Sequence, residues 1–282
     1  MPALTPTQLV RRLMIDRVLA VFNDVAAGER RVVISDRALF ERDSPIRMVH
    51  ADVISMGVGG IVSLLLQMLH PHALQGVLDH SDFRADMHGR LRRTSRFIAV
   101  TTFAERSEAL AAIDRVNRIH AKVSGTLPDG TPYSATDPRT LAWVHVAEAT
   151  SFLAAYLAFV RPRMPAAEQD EYFRQFAVIA RALGAEPVPE TRSEAAALVN
   201  ELRGDLAVSA ATRQVCRLVL GQRPKGVPWA AQRTLATAAI DLLPPYARTM
   251  LGLKRPVAAA LPARLATRTM SETLRWAFGQ RR

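Results

Sequence analysis

Cysteine is nearly absent from this chain: its 282 residues hold one, Cys216. A single thiol excludes an intramolecular disulfide framework and a cysteine-based zinc site. Cys216 also falls within an apolar helical pattern and reads as core rather than as a nucleophile. Aromatic residues make up only 6% of the chain, and no aromatic platform interleaves with its arginines. A base-stacking surface for nucleic acid is therefore not expected. There is no P-loop, no GxGxxG following a strand, no GxSxG elbow, no HExxH, and no helix-turn-helix or zinc-finger spacing. A secretory leader is lacking as well: Asp16 and Arg17 interrupt the N-terminal apolar pattern and no cleavage signal follows, so a reducing cytoplasm is the expected location. The segment from Val53 to Leu78 is free of charge, but glycines, Ser63, Gln67, His70 and Pro71 punctuate it. Its most apolar part, Ile61 to Leu69, is too short to cross a bilayer and reads as a buried core helix.

Alanine and leucine dominate a chain that is 49% apolar, and β-branched runs are short. That composition favours helix over sheet. The formal net charge is +11, which attracts anions: nucleic acid, anionic lipid or acidic small molecules. Lysine occurs only at Lys122, Lys225 and Lys254, so the charge is arginine, and part of it reflects codon usage. Helical patterns are predicted over 5–26, 51–69, 72–78, 86–100, 105–123, 138–160, 165–183, 192–203, 207–220, 229–242 and 244–251. Between 29 and 50 a loop with small helical pieces is expected. Thr5 and Asp137 are predicted N-caps, each followed by proline at the first helical position. Pro128-Asp129-Gly130 predicts a tight turn or short hairpin. No repeat, heptad or long linker divides the chain. The expected architecture is all-α: one domain of roughly ten helices over residues 1–282, with 251–282 as a basic surface segment.

Candidate chemistry concentrates between Leu69 and His145. All seven histidines lie between His50 and His145, and an arginine cluster (Arg84, Arg90, Arg92, Arg93, Arg96) sits among them. Imidazole, guanidinium and apolar helix faces together suit a flat, partly anionic cofactor. His120 shares a predicted helix face with Ile113, Val116, Asn117, Val123 and Ser124. Spacing alone favours a core histidine satisfied by a backbone carbonyl over a metal ligand. His145 shares a face with Glu148; the pair reads either as a packing contact or as half of a metal site. Arg90, Arg93, Thr94 and Phe97 share another face, which reads as a solvated surface, a phosphate-binding surface, or a clamp for a cofactor's carboxylates.

The order of motifs adds a resemblance. LLLQMLHPHALQGVLDHSDF, RLRRTSRFI, His120-Ala-Lys-Val-Ser-Gly125, Gly130-Thr-Pro-Tyr133-Ser-Ala-Thr-Asp137-Pro138 and Leu141-Ala-Trp143-Val-His145 occur in that order. Over about residues 50–160 the chain resembles the MpaB-like and rubber-oxygenase family, which includes the latex-clearing proteins. A weaker echo is LPPYARTMLGL at 243–253. The resemblance implies an all-α fold holding b-type haem, with iron bound by His120, Arg90 and Thr94 beside the cofactor, and dioxygen chemistry on an apolar or lipid-like substrate. Arg93, Thr94 and His145 are the expected catalytic or supporting residues, with Arg93 on the propionates or the distal side and His145 supporting the site or serving as an alternative ligand. Latex-clearing proteins carry a lysine where this chain has Arg93, and an arginine cannot deprotonate to ligate iron. The arginines flanking their haem histidine are here Asn117 and Ser124. Both departures argue against polyisoprene as the substrate. The expected function is thus a haem b-dependent oxygenase, an oxidoreductase. The alternatives are a haem-binding sensor or carrier without turnover, and a basic helical module for membranes or nucleic acid. Expected partners are dioxygen, an apolar small molecule or lipid, and a peripheral anionic membrane through the basic C-terminal segment; nucleic acid is not expected.

Overall fold

Start and stop residues place most of the helices. In the computed structural model, which describes residues 5–22, 31–81, 86–222 and 227–279, Thr5 caps α1 (Pro6–Phe22) reciprocally. The Gln8 amide donates to the Thr5 hydroxyl and the Thr5 amide to the Gln8 side chain. Pro45 opens α2 (Pro45–Ala51), which meets α3 (Val53–Gln67) at 90°. Asp52 makes that corner: its carboxylate accepts the Ser55 amide at 2.8 Å and caps α3. Pro71 opens α4 (Pro71–His80), and Asp86 caps α5 (Met87–Phe103) through the Gly89 amide. α6 (Arg106–His120) follows as the second arm of an antiparallel helical hairpin with α5. Arg84, Asp82 and Lys225 lie outside the described residues.

α6 stops at His120, three residues before its apolar pattern does. The reason is non-local: the Val123 carbonyl accepts the Ala135 amide at 2.9 Å, drawing the chain into a hairpin of β1 (Ser124–Thr126) and β2 (Pro132–Ser134). Val123 and Ser124 therefore leave the face on which helical spacing puts them. The Tyr133 hydroxyl donates to Asp79 at 2.6 Å and ties the hairpin to α4. Gly125 passes beneath that ring, where a Cβ would come within 2.6 Å of the phenol oxygen.

Asp137 caps α7 (Pro138–Phe159), accepting both the amide and the hydroxyl of Thr140. α7 is apolar nearly all round and is the one helix among the described residues long and apolar enough to cross a membrane, yet most of it is buried against its neighbours. Its main partner is α3. Trp143 is fully buried and its indole donates to the Leu66 carbonyl at 3.2 Å, closing the C-terminal end of α3. α8 (Ala166–Ala182), α9 (Arg192–Leu202), α10 (Ala210–Leu220), α11 (Trp229–Leu242) and α12 (Pro245–Leu251) complete the shell. The basic end of the chain folds as α13 (Val257–Phe278), which packs on α11, α3 and α1. Two buried carboxylates hold it: Asp241 binds Arg255 at 2.9 Å and Arg264 at 2.6 Å, and Asp52 accepts from the Ser271 hydroxyl at 2.6 Å.

The α3–α7 contact depends on one glycine. A Cβ at Gly59 would lie 3.0 Å from the Cα of Phe152 and 3.0 Å from the Ser151 carbonyl oxygen. Backbone cannot yield as a side chain can, so Gly59→Val is expected to destabilise the fold by about 1–3 kcal/mol. Gly57 and Gly60 meet nothing within 4 Å. Gly57→Ala is expected to be neutral or to stabilise, by up to about 1 kcal/mol from helix propensity. Urea melts of both variants check the contrast.

Candidate functional site

The α5–α6 hairpin brings Arg90 and His120 together. Arg90 lies in the first turn of α5 and His120 ends α6, so an antiparallel pair folded at Ala104 and Glu105 sets them side by side. The hairpin packs on α2 and α1, and its backbone makes at most marginal contact with α3 or α7. Its side chains still reach the core: Ile113 of α6 is buried there, and Leu91, Phe97 and Ile98 of α5 pack against it. His120 is half-buried, and its Nδ1 is buried with no hydrogen-bond partner among the described residues. Burial and then the Arg90 charge hold its pKa below the usual value. The ring is thus neutral at physiological pH, with a lone pair free for a metal. Burial likewise lowers the pKa of Arg90, with the Arg93 charge adding to it. Its guanidinium reaches toward the Ser81 hydroxyl, 3.4 Å away.

Of the other predicted site residues, Arg93 and Thr94 lie within about one turn of Arg90 on the same helix, and His145 lies on α7. Arg93 and Thr94 are exposed on α5. Arg93 binds Asp86, the cap of its own helix, at 3.2 Å. His145 lies in the core, with its ring 4.8 Å from that of Phe176. Its Nε2 is buried and has no hydrogen-bond partner among the described residues. No hydrogen bond joins His145 to Glu148 among the described residues. Glu148 accepts instead from Gln67 of α3, at 3.4 Å, and Gln67 also donates to Ser63 at 2.7 Å. Burial pushes the Glu148 carboxyl up to about 7, the single Gln67 bond opposing it weakly.

A second buried polar cluster was not legible in the residue pattern. His50 of α2 bridges the Thr102 hydroxyl of α5 at 2.9 Å and the Tyr172 hydroxyl of α8 at 3.4 Å. Phe176 packs edge-on against both His50 and His145. Desolvation lowers both histidines to about 3, for His145 with a further push from the Arg181 charge. The one available signal was His50 near the end of a short helix opened by Ser44-Pro45; its partners are remote in sequence.

Among the described residues no group of three or more histidine, cysteine or carboxylate side chains could hold a metal ion. A haem iron needs one axial protein ligand, because the porphyrin supplies the equatorial set. The pair of Arg90 and His120 offers one neutral imidazole and one cation, a donor set suited to an iron centre carried by an anionic macrocycle. Comparison with curated proteins and with solved structures gives no match. Residues 47–276, a span that holds both members of the pair and runs from α2 into α13, match the family model described as ER-bound oxygenase mpaB/B'/rubber oxygenase, catalytic domain. The chain belongs to that family.

Proposed function

We propose that the protein is a haem b-dependent oxygenase that uses dioxygen on an apolar or lipid-like substrate. The observation that carries this reading is the juxtaposition of Arg90 with a half-buried His120, whose Nδ1 is buried and unpartnered among the described residues, at the open end of the α5–α6 hairpin. Membership of an oxygenase family supports the reaction class. The residues present fit the group: an imidazole with an unpartnered buried nitrogen, and a largely desolvated guanidinium beside it. His120 would bind the iron. Arg90 would offset the charge of the propionates, and Thr94, one turn along the same helix, would face the same group. Bound haem would supply dioxygen binding and activation.

The chain's own residues set the conditions around it. Burial, and then the Arg90 charge, hold the His120 pKa below its usual value, so protons compete less well with a metal for the ring. Asp86 holds Arg93 at the start of α5, where its charge adds to that of Arg90. The apolar residues Leu91, Phe97 and Ile98 of α5 pack onto the core and seat the hairpin that carries the pair.

Titration of the purified full chain with haem tests the proposal. A Soret band that saturates at one haem per chain is expected, and absence of any Soret band would overturn it. Dioxygen consumption by the loaded protein with alkenes or polyketide-like lipids distinguishes an oxygenase from a sensor or carrier. Haem binding with no uptake under any of these substrates would favour the latter.

A further inference from the structure

α13 is inverted for a helix on a water-facing surface. Its inner side is made of small residues, among them Ala260, Ala263, Thr267 and Ser271. Its outer side carries Val257, Leu261 and Leu265, four residues apart and 78%, 66% and 57% exposed. A helix that serves only the core places large apolar side chains inward. Trp276 extends the stripe at the far end, 48% exposed. There the Arg11 guanidinium lies over the indole, 5.6 Å from its centroid, and donates to the Ala277 carbonyl at 3.1 Å. That contact seats α1 on the same end of α13, and α1 exposes Leu9 and Leu13 by half or more. Two adjacent helices thus turn leucines to solvent.

Both helices are also basic. α13 carries Arg264, Arg268 and Arg275 against Glu272, and α1 carries Arg11, Arg12 and Arg17 against Asp16. Asp241 engages Arg255 and Arg264, while Lys254 and Arg268 are exposed with no carboxylate partner among the described residues. A leucine stripe with a tryptophan at its end and unpaired cations beside it has the chemistry of a helix that lies in a lipid interface. We propose that this face docks on an anionic lipid membrane, with α13 in the interfacial plane and its leucines among the acyl chains. A second copy of the chain is the poorer occupant, because the same basic face would meet itself on a molecule of net charge +11. The proposal is independent of the haem reading: failure of either leaves the other standing.

Co-sedimentation of the full chain with vesicles tests it. Binding to phosphatidylcholine vesicles containing phosphatidylglycerol is expected, at least about tenfold stronger than to phosphatidylcholine alone and weakened by salt. Leu261→Gln with Leu265→Gln is expected to cut that binding at least about tenfold, since two leucine side chains lose their place in hydrocarbon. Both positions are exposed, so helix content and melting midpoint should be unchanged. Equal binding by the double variant would overturn the proposal, as would failure of the parent chain to bind. A dimer in gel filtration that the double substitution dissociates would overturn it too, in favour of a second copy.

Discussion

His120→Ala is expected to abolish the Soret band that the parent chain acquires with haem, and His145→Ala to leave that band in place. Burial lowers the pKa of both histidines, yet only His120 stands beside Arg90 at the end of the α5–α6 hairpin. Removing its imbalance of charge is separable from removing the ligand. In Arg90→Leu the imidazole remains but loses the neighbouring cation that lowers its pKa. The acid edge of haem binding should then move to higher pH, because the proton competes better for the ring nitrogen. Haem affinity at neutral pH should also fall by at least about tenfold, the cost of losing one charge-assisted contact to a carboxylate. Exogenous imidazole restoring the band in His120→Ala would show that the variant is folded and lacks only its ligand. An undiminished band in His120→Ala would assign the iron to another residue.

Acid should unfold this protein steeply, and two core histidines are the reason. His50 and His145 are held neutral by burial, with folded pKa values near 3 against 6.5 when unfolded. Their contribution to stability is present above pH 6.5 and is lost as pH falls toward 3, where the unfolded chain binds two protons that the folded chain refuses. Two protons correspond to a slope of up to about 2.7 kcal/mol per pH unit. Glu148 acts in the opposite sense. Its folded pKa is raised from 4.5 to about 7, so its contribution is present below pH 4.5 and is lost as pH rises through 7. Between 4.5 and 6.5 it offsets one of the two histidines, and below 4.5 the full slope returns. Stability should therefore fall gently from pH 6.5 to 4.5 and sharply below. Urea midpoints measured across that range check the shape. His145→Leu should lower the slope below pH 4.5 by about 1.4 kcal/mol per pH unit; an unchanged slope would mean that His145 is protonated in the folded protein.

Basic residues that look alike in composition serve different ends here. Arg255 and Arg264 neutralise Asp241, whose side chain is fully buried, and Arg275 lies 3.8 Å from the nearly buried Asp52. These arginines hold α13 to the body of the fold. Arg90 instead acts on the electrostatics of a histidine, while Lys254 and Arg268 face solvent beside the exposed leucines.

By itself the sequence determined the helices. Prolines, aspartate caps and apolar periodicity are local signals, and they set the order, the all-α class and the starts of α1, α4, α5 and α7, because capping and φ restriction act within one turn of chain; α2, opened by Pro45, falls where a loop with small helical pieces is expected. Motif order was also enough to point to the oxygenase family. Tertiary structure decided which side chains meet. His50 and Tyr172 are separated by 122 positions and Gln67 and Glu148 by 81, and such contacts follow from how helices pack, not from spacing along one of them. The same holds for the end of α6, where Ala135 captures Val123, and for His145 and Glu148, which share a helix face but turn to different neighbours. The meeting of Arg90 and His120 is likewise tertiary: the α5–α6 turn is short, so residues nearly equidistant from it come side by side.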